Sequence, residues 1–377
     1  MPEKIKVGFI GSGFARSTQA PAFALFQNAE LYAVASPTES RREKFSGEFQ
    51  IPHRFSDWRK LIESDVALVC ITTPPNLHAE MALAAIQNGK HVVCEKPFAM
   101  TLAEAESMVS AATAHNCLAV VDHELRLLPT VKFMRQFIQD GRLGGLYGVR
   151  AEVILSSRNS PDRRWNWWSD KTKGGGAMGA VGSHMIDLCH YLIGDIESCL
   201  GAYHTHIPNR PGKSGEPVPV TSDDAFDLIV RFAPDSKAPD KTGHISVTTV
   251  EAYTSFRFEV SGSNGTLRLD GEGNLFLAER LDNATGRSTQ GSENFVQIFP
   301  ELAPGEADVI ERRQKSALEK QGIFAKAFTH LAANLITVLG NKQYEIPDAA
   351  TFADGLRCQR VMQASVQSAI NGCWCKV

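Results

Sequence analysis

The tripeptide Glu95-Lys96-Pro97 carries the strongest chemical signal in the sequence. It directly follows the apolar run His91 to Cys94, which has the composition of a buried strand. A partly desolvated lysine amine at a strand end can donate a proton or polarise a carbonyl group. The proline restricts the backbone before it to extended geometry, which fixes the direction of the lysine side chain. We therefore expect Lys96 to be catalytic; the alternative is a surface lysine before a turn.

A glycine-rich segment, Gly11-Ser-Gly13-Phe-Ala-Arg16, follows the first apolar run. Glycines at a strand-to-helix turn let backbone amides approach a pyrophosphate, so the segment predicts dinucleotide binding. Arg16 occupies the third position of the motif, where Gly or Ala is usual, and a purely structural turn remains the alternative. The residues expected to contact the cofactor here are Gly11, Gly13, Phe14 and Ala15.

The end of the second apolar run indicates which dinucleotide is bound. NAD-binding domains place an acid there for the ribose 2′-hydroxyl, whereas this chain has Ser36-Pro-Thr38. Ser36 and Thr38 can donate hydrogen bonds to a 2′-phosphate, and Arg41 or Arg42 can supply positive charge. NADP is therefore favoured over NAD, which remains possible; the alternative is that both arginines are solvated helix residues.

Another strand pattern is followed by Thr72-Thr-Pro-Pro-Asn-Leu-His78. We expect this loop at the carboxyl edge of the parallel sheet, where the glycine turn and Lys96 are also expected. We expect cofactor contacts from this loop and from the lysine tripeptide. The residues are Thr72, Thr73, Pro74, Asn76, His78, Glu95, Lys96 and Pro97.

Short apolar strands alternate with helical patterns through the first third of the chain, which predicts an α/β Rossmann domain, a doubly wound parallel sheet, over residues 1–122. Alternating segments and turns between residues 198 and 278 indicate antiparallel strands. They predict an α+β domain over residues 123–377 that binds substrate and forms oligomers. The two closing helical patterns, 323–339 and 349–370, either belong to it or pack back on the first domain.

Composition excludes several classes of protein. The 377 residues include 43% hydrophobic and 21% charged residues with a net charge of -3, which disfavours a nucleic-acid-binding surface. No apolar run approaches the ~20 residues of a membrane span, and no targeting segment is recognisable at the start, so a cytoplasmic location is expected. The eight cysteines lack zinc-site spacing, so no metal is expected.

Four segments together resemble the Gfo/Idh/MocA oxidoreductase family: the Gly-x-Gly turn, Thr73-Pro-Pro-Asn-Leu-His78, Glu95-Lys96-Pro97, and the glycine-rich segment 174–187. The resemblance implies a Rossmann domain followed by a mostly antiparallel open sheet, with the active site between them. It also implies a homodimer or homotetramer formed through that sheet. The implied reaction is reversible hydride transfer between a nicotinamide and a sugar, cyclitol or related hydroxyl or carbonyl compound.

The same resemblance assigns roles to two residues. Lys96 matches the family's catalytic lysine, and His184 matches its catalytic histidine, the general base on the substrate hydroxyl. Family dehydrogenases often carry an acid four residues before this histidine, where this chain has Ala180. Asp187, one helical turn after His184, either orients the histidine or has a structural role.

Two further segments are expected near the substrate. His123-Glu-Leu-Arg126 follows a strand, and Arg126 either binds a carboxylate or phosphate or forms a salt bridge between domains. Three tryptophans lie between residues 165 and 168, and Trp168 is the one we expect to stack on a ligand.

Together these features predict an NADP-preferring dehydrogenase acting on a small polyhydroxylated molecule. Two alternatives remain: a glycosidase that uses its dinucleotide transiently, and a sensor that binds dinucleotide without turnover. Intact Lys96 and His184 disfavour the sensor, whereas Ala180 and Arg16 favour it.

Overall fold

The computed structural model describes residues 4–234, 240–280 and 294–377. The chain forms two compact units. The first comprises Met1–Leu128, Asp170–Gly175 and Ala303–Arg360, and the second comprises Pro129–Ser169, Gly176–Leu302 and Val361–Val377. The sequence-based boundary after residue 122 differs from this division, because the first unit extends through the turn that follows its last strand and also contains most of the closing helical region.

A parallel sheet forms the centre of the first unit. Its strands are β1 (Ile5–Ile10), β2 (Ala29–Ala35), β3 (His53–Phe55), β4 (Leu68–Ile71), β5 (His91–Cys94) and β6 (Ala119–Val121). They run parallel in the order β3-β2-β1-β4-β5-β6. The order reverses between β1 and β4, which is where ligands bind in doubly wound sheets. The predicted Rossmann architecture is confirmed.

Helices surround and connect the strands of both units. They are α1 (Ala20–Phe23), α2 (Glu39–Phe49), α3 (Trp58–Glu63), α4 (His78–Gln87), α5 (Leu102–Ala114), α6 (Pro129–Gln139), α7 (Ser183–Leu192), α8 (Glu306–Gln314), α9 (Ile323–Gly340) and α10 (Phe352–Asn371). α5 begins with a capping box between Thr101 and Glu104, as its sequence pattern favours.

The first unit has a core on each face of its sheet, because successive strand residues point to opposite sides. Phe9 belongs to one cluster, together with Phe23 of α1 and Phe328 of α9. Ile10 belongs to the other, together with Phe98 and Phe352. α9 is long and apolar enough to cross a membrane by length and composition. However, 72% of this 18-residue helix is buried inside the structure, as in the core helix of a globular protein.

The second unit is built on a large mixed sheet. Its strands, with one separate hairpin, are β7 (Leu146–Ile154), β8 (Ile196–His204), β9 (Asn209–Pro211), β10 (Pro217–Pro219), β11 (Ala225–Phe232), β12 (Thr242–Thr248), β13 (Ser255–Gly262), β14 (Gly265–Asp270), β15 (Leu275–Glu279), β16 (Val296–Ile298) and β17 (Cys375–Lys376). The sheet order is β16-β15-β14-β13-β7-β12-β11-β8-β17, and β9 and β10 form a separate two-stranded sheet. β7 and β12 are parallel and the other pairs are antiparallel, which confirms the predicted mostly antiparallel sheet.

Candidate functional site

The turn after β1 has the geometry of a glycine-dependent loop. Gly11 has a φ of 111°, and a Cβ atom there would lie 2.4 Å from Thr72 Oγ1 and 2.8 Å from Thr72 O. Gly13 is exposed, and a Cβ atom there would meet no atom of the described residues within 4 Å. The backbone at Gly13 is thus open to a ligand, which fits the predicted dinucleotide.

The residues after Gly13 start a π-helical turn, Ala15–Gln19, which continues into α1. Ala15 is buried, and the Phe14 ring packs edge-on against Phe328 at 6.3 Å. Both side chains therefore hold the turn against the core. Contact between their backbone and a cofactor remains a prediction.

A cationic pocket of about 400 Å³ adjoins this turn. Its lining residues are Ser12, Gly13, Arg16, Arg41 and Lys44. Arg16 also forms an ion pair of 2.7 Å with Glu48. Sequence analysis missed Lys44, although its spacing of three residues from Arg41 on a helix was a usable signal.

The segment after β2 is held by backbone contacts. Arg42 donates through Nη1 to the Ser36 carbonyl at 2.8 Å, and the Ser36 N–H donates to the Phe55 carbonyl at 3.1 Å. Ser36 is buried, whereas Thr38 and Arg41 are exposed. Arg42 therefore supports the turn, and Arg41 is the arginine of this pair that lines the pocket.

The loop after β4 is fixed at both ends. Thr72 donates to the Ile10 carbonyl through its backbone N–H at 2.8 Å and through Oγ1 at 3.2 Å. The Thr73 hydroxyl lies 3.5 Å from the Met81 sulfur. Pro74 is partly buried, and Asn76 is exposed. This loop thus presents Asn76 to solvent, and Thr72 lies against Gly11 of the glycine turn. Direct contact of the loop with a cofactor remains a prediction.

His78 joins this loop to the loop that contains Lys96. Its ring is buried, with Nε2 2.9 Å from the Thr73 carbonyl and Nδ1 3.1 Å from the Pro97 carbonyl. Burial lowers the pKa of His78 to about 4, against the effect of these backbone contacts. The ring is therefore neutral at physiological pH. These contacts support a role in positioning the loops.

Lys96 follows β5 and precedes a cis peptide bond to Pro97. Its side chain is partly buried, whereas Glu95 is buried. Gln19 Nε2 donates to Glu95 Oε1 at 3.3 Å and to Asp122 Oδ2 at 3.0 Å. The Asp122 N–H in turn donates to the Cys94 carbonyl at 2.8 Å. The end of β5 is therefore linked to the first turn and to the end of β6 by buried polar groups.

The acids around Lys96 are strongly perturbed. Burial raises the pKa of Glu124 to about 8, with a further contribution from Glu95. Burial, Glu124 and Glu95 raise the pKa of Asp122 well above its usual range. Burial also raises the pKa of Glu95, against the opposing effect of Lys96. Sequence analysis missed Gln19, Asp122 and Glu124 as site residues.

Arg126 is held by an ion pair within the first unit. Its Nη2 lies 3.2 Å from Asp354 Oδ1, and only 6% of its side chain is exposed. Burial opposes ionisation of Asp354, but Arg126 and hydrogen bonds from Thr351 together lower the pKa of this acid. His123, on the same turn, is buried and donates its N–H to the Val121 carbonyl at 2.7 Å. This ion pair lies within the first unit, because Asp354 belongs to that unit. The substrate-binding role of Arg126 and its alternative, a salt bridge between domains, both stay predictions.

In the second unit, His184 and Asp187 are both buried on α7. The preceding π-helical turn, Met178–Gly182, contains Ala180. The Asp223 carboxylate accepts a hydrogen bond from the Met178 N–H at 2.8 Å. Burial raises the pKa of Asp223 to about 6, against hydrogen bonds that favour its ionised form. Asp223 thus fixes the start of the helical segment that carries His184, a role that sequence analysis missed.

The tryptophan segment is also held in the second unit. Trp165 Nε1 donates to the Pro219 carbonyl at 3.0 Å. The Arg158 guanidinium stacks on the Trp168 ring at 3.8 Å, and Ser222 Oγ donates to the Trp168 carbonyl at 2.7 Å. These contacts show that Trp168 is structurally supported. Its stacking on a ligand remains a prediction.

A parallel Rossmann sheet with a glycine turn, joined in one chain to a mostly antiparallel sheet, is the architecture of a two-domain dinucleotide-binding protein. A model described as an oxidoreductase family with an NAD-binding Rossmann fold matches residues 5–123, and a model of the GFO/IDH/MocA C-terminal domain matches residues 131–268. The chain belongs to the Gfo/Idh/MocA oxidoreductase family. The resemblance inferred from sequence motifs is confirmed.

Two relatives are sugar dehydrogenases. The chain is 29% identical over 310 residues to levoglucosan dehydrogenase from Pseudarthrobacter phenanthrenivorans, covering 74% of this chain and 75% of that protein. It is 29% identical over 215 residues to glucose-6-phosphate 3-dehydrogenase from Bacillus subtilis, covering 55% and 60%. The structure of a levoglucosan dehydrogenase in complex with NADH and L-sorbose matches with a TM-score of 0.82 and 25% identity, covering 100% of this chain and 99% of that one.

Proposed function

We propose that this protein is an NADP-preferring dehydrogenase that oxidises a CH–OH group of a sugar, cyclitol or related polyhydroxylated molecule, or reduces the corresponding carbonyl. The observation that carries this proposal is Lys96 directly after the carboxyl end of β5, the strand next to β4, which borders the sheet's switch point. The sugar dehydrogenases among its relatives support the substrate class.

The cofactor preference rests on the cationic pocket beside the glycine turn. Arg16, Arg41 and Lys44 line it, and guanidinium and ammonium groups suit a phosphate monoester. The buried end of β2 has Ser36 where NAD-binding domains have an acid, so no carboxylate at that position would repel a 2′-phosphate. The related structure of levoglucosan dehydrogenase contains NADH, so NAD is the competing cofactor for this protein.

The chemical roles follow from residue type. Lys96 donates a hydrogen bond or proton to the substrate oxygen, and its positive charge favours the ionised forms of the buried acids Glu95 and Glu124. His184 accepts the hydroxyl proton during oxidation, and Asp187 orients the imidazole on the same helix. When bound, the nicotinamide supplies hydride acceptance or donation. His123 and Trp168 complete the set of proposed substrate residues.

We also propose that the protein forms a homodimer or homotetramer through the large sheet of the second unit. Tyr147 of β7 and Ile229 of β11 expose 62% and 42% of their surface on that sheet, and an interface formed through the sheet would bury apolar surface of both residues. A cytoplasmic location is part of the proposal, since eight free cysteines suit a reducing compartment.

Fluorescence titration with NADPH and NADH tests the cofactor proposal. We expect tighter binding of NADPH, and a loss of about tenfold in NADPH affinity for Arg41→Ala and for Lys44→Ala, with NADH affinity unchanged. Lys60→Ala is the control, because Lys60 is an exposed lysine that pairs with Glu63. Clearly tighter binding of NADH by the wild type would contradict the preference.

A panel of polyols and sugars, followed by absorbance of NAD(P)H, tests the reaction. Lys96→Met is expected to reduce kcat by at least about a hundredfold, since general acid catalysis contributes on that order. Lys60→Met serves as the matched control. Sugar release without net change in NAD(P)H would instead identify the glycosidase alternative, and full activity of Lys96→Met would refute the role of Lys96.

A further inference from the structure

Three arginine residues of the second unit meet at one short loop, which follows β7. Arg210 donates through Nη1 to the Ser160 carbonyl at 2.8 Å and through Nη2 to the Arg158 carbonyl at 2.7 Å. Arg163 donates through Nη1 to the Ser157 carbonyl at 2.7 Å. Two guanidinium groups are therefore hydrogen-bonded to the backbone on either side of Arg158. We refer to Arg158, Arg163 and Arg210 as the arginine cluster.

The guanidinium group of Arg158 stacks on an aromatic ring. Its Cζ atom lies 3.8 Å from the centroid of the Trp168 ring. The backbone of Trp168 is fixed in turn, because its carbonyl accepts from Ser222 Oγ at 2.7 Å and its N–H donates to Asn166 Oδ1 at 3.0 Å. A guanidinium that stacks by its face keeps its N–H groups at the edge, where carboxylates and phosphates bind through two parallel hydrogen bonds.

No acid neutralises the arginine cluster through an ion pair within the part of the chain that the structure describes. Among the same residues, the Arg158 side chain also forms no hydrogen bond. Burial lowers the pKa of Arg210, which is 3% exposed, against the effect of Asp224. The Asp224 carboxylate is already used, because it accepts from the N–H groups of His206 and Ile207 at 2.8 and 2.9 Å. The donors of Arg158 are thus available to a ligand.

The positive charges of the cluster oppose one another. Burial lowers the pKa of Arg158 to about 9, with further contributions from Arg163 and Arg210. The group still carries its charge at neutral pH. An oxoanion bound at its edge replaces hydration that burial has removed and offsets the repulsion between the cations. The cluster therefore has the chemistry of a binding site for a carboxylate or phosphate group.

The cluster and the proposed base His184 are attached to the same short segment of the second unit. Ser222 holds the Trp168 carbonyl, and the next residue, Asp223, accepts a hydrogen bond from the Met178 N–H at 2.8 Å. Met178 begins the helical turn that leads into α7, which carries His184. We assign the anion to the substrate because of this shared attachment.

We propose that the arginine cluster binds a carboxylate or phosphate group of the substrate, with Arg158 as the contacting residue, so that the substrate is an anionic sugar or cyclitol. This inference rests on the proposed dehydrogenase function. Arg163 is exposed and supplies further donors at the edge of the site. Arg210 is a positioning residue, because it holds the Arg158 carbonyl and adds positive charge from a buried position.

Phenylglyoxal labelling of the whole protein tests anion binding without turnover. The reagent modifies accessible arginine side chains, and mass spectrometry gives the labelling rate at Arg158. We expect inorganic phosphate, and at least one of glucuronate and inositol monophosphate, to slow this rate by about tenfold at about ten times the Kd. Glucose and inositol, which are neutral, should slow it far less. Arg59 is the internal reference, because it also stacks on a tryptophan, Trp58 at 4.3 Å, but pairs with Asp57 and Glu80.

Steady-state kinetics test whether the bound anion belongs to the substrate. Glucose is compared with glucuronate, and inositol with inositol monophosphate. In at least one pair we expect KM to be at least about tenfold lower for the anionic compound. Arg158→Met should reduce this KM ratio by about tenfold, because methionine still packs on Trp168 but has no N–H donors. Arg158→Lys keeps the charge without the planar edge and should reduce the ratio by about threefold, whereas Arg59→Met should leave it unchanged.

Circular dichroism establishes folding, and Arg158→Lys carries the test where Arg158→Met does not fold. Unchanged labelling of Arg158 with every anion would overturn the anion site, even if the protein oxidises neutral sugars. Protection by inorganic phosphate alone would identify a free anion as the ligand and overturn its assignment to the substrate. If an anionic sugar or cyclitol protects Arg158 but no compound is oxidised with NAD(P)+, the proposed dehydrogenase function fails and the anion site stands.

Discussion

Gln19 donates a hydrogen bond through Nε2 to Asp122 Oδ2 at 3.0 Å, so the turn after the first strand is joined to the end of the sixth strand through the interior. The same amide nitrogen lies 3.3 Å from Glu95 Oε1. Gln19→Leu keeps a similar volume but removes the donor from two buried acids. We expect a loss of about 2 to 3 kcal/mol in the free energy of unfolding, because each acid loses a buried partner.

Chemical denaturation of the purified protein measures this loss. Gln136→Leu is the matched control, since Gln136 also donates to an acid, Asp140, but at an exposed position on α6. The control should change stability by less than about 0.5 kcal/mol. If both substitutions lowered the free energy of unfolding equally, the buried position of the two acids would add nothing to the contribution of the Gln19 hydrogen bonds.

The raised pKa of Glu124 predicts a pH dependence of stability. A carboxyl group whose folded-state pKa lies above its unfolded value stabilises the protein below the unfolded pKa, and this contribution is lost as pH rises through the folded pKa. For Glu124 the window runs from about 4.5 to about 8. Stability should therefore fall across this window, by at most about 1.4 kcal/mol per pH unit for one proton.

Denaturation of the wild type and Glu124→Gln between pH 5 and 9 isolates this contribution. The glutamine variant should show a smaller decline and should gain stability relative to the wild type as pH rises. His78 acts in the opposite direction at lower pH, because its folded pKa is depressed to about 4, and it contributes equally to both proteins. Parallel pH profiles of the two proteins would rule out the perturbation of Glu124.

The two glycines of the first turn should respond differently to alanine. In Gly11→Ala the methyl group would meet Thr72 backbone and side-chain atoms at a φ of 111°, so we expect a loss of stability of about 2 kcal/mol or more. Gly13→Ala has open space around its Cβ and should fold normally. Its methyl group projects where a dinucleotide is expected to approach, so affinity for NADPH should fall by about tenfold.

Melting temperature and NADPH titration separate the two effects. Gly13→Ala with unchanged stability and unchanged NADPH affinity would show that the open space at Gly13 is not used by the cofactor. A melting temperature for Gly11→Ala equal to that of the wild type would contradict the structural account of the turn.

The sequence predicted much of the first unit because its physical signals are local. β5 coincides with the predicted apolar run His91 to Cys94, since a buried parallel strand is continuously apolar. α3 has only six residues, which are too few to give a periodic helical pattern. The first unit's inclusion of residues 303–360 depends on packing between distant segments, which local patterns do not encode.

The residues of the candidate site also differ in whether local sequence signals predict them. Lys96 was identified because a lysine between Glu and Pro after an apolar run is conspicuous in sequence. Gln19 was missed because a glutamine in a helical turn has the appearance of a surface residue, although it is fully buried. Asp122 and Glu124 follow β6 closely, a position that marks functional loops, but their electrostatic interaction with Glu95 depends on the pairing of β5 with β6.

The ion pair between Arg126 and Asp354 distinguishes two roles for the arginine. Its atoms are 3.2 Å apart, with side-chain exposures of 6% and 17%. Asp354→Asn removes the negative charge that faces this buried guanidinium at 3.2 Å, which is expected to cost about 3 kcal/mol or more. Asp308→Asn is the control, because its pair with Arg312 is exposed on α8 and should contribute less than about 1 kcal/mol.

Thermal denaturation measures the stability of each variant, and steady-state kinetics give KM for anionic and for neutral substrates. Destabilisation without a specific change in KM for anionic substrates would establish the structural role of Arg126, whereas unchanged stability with an altered KM for anionic substrates alone would assign Arg126 to substrate binding.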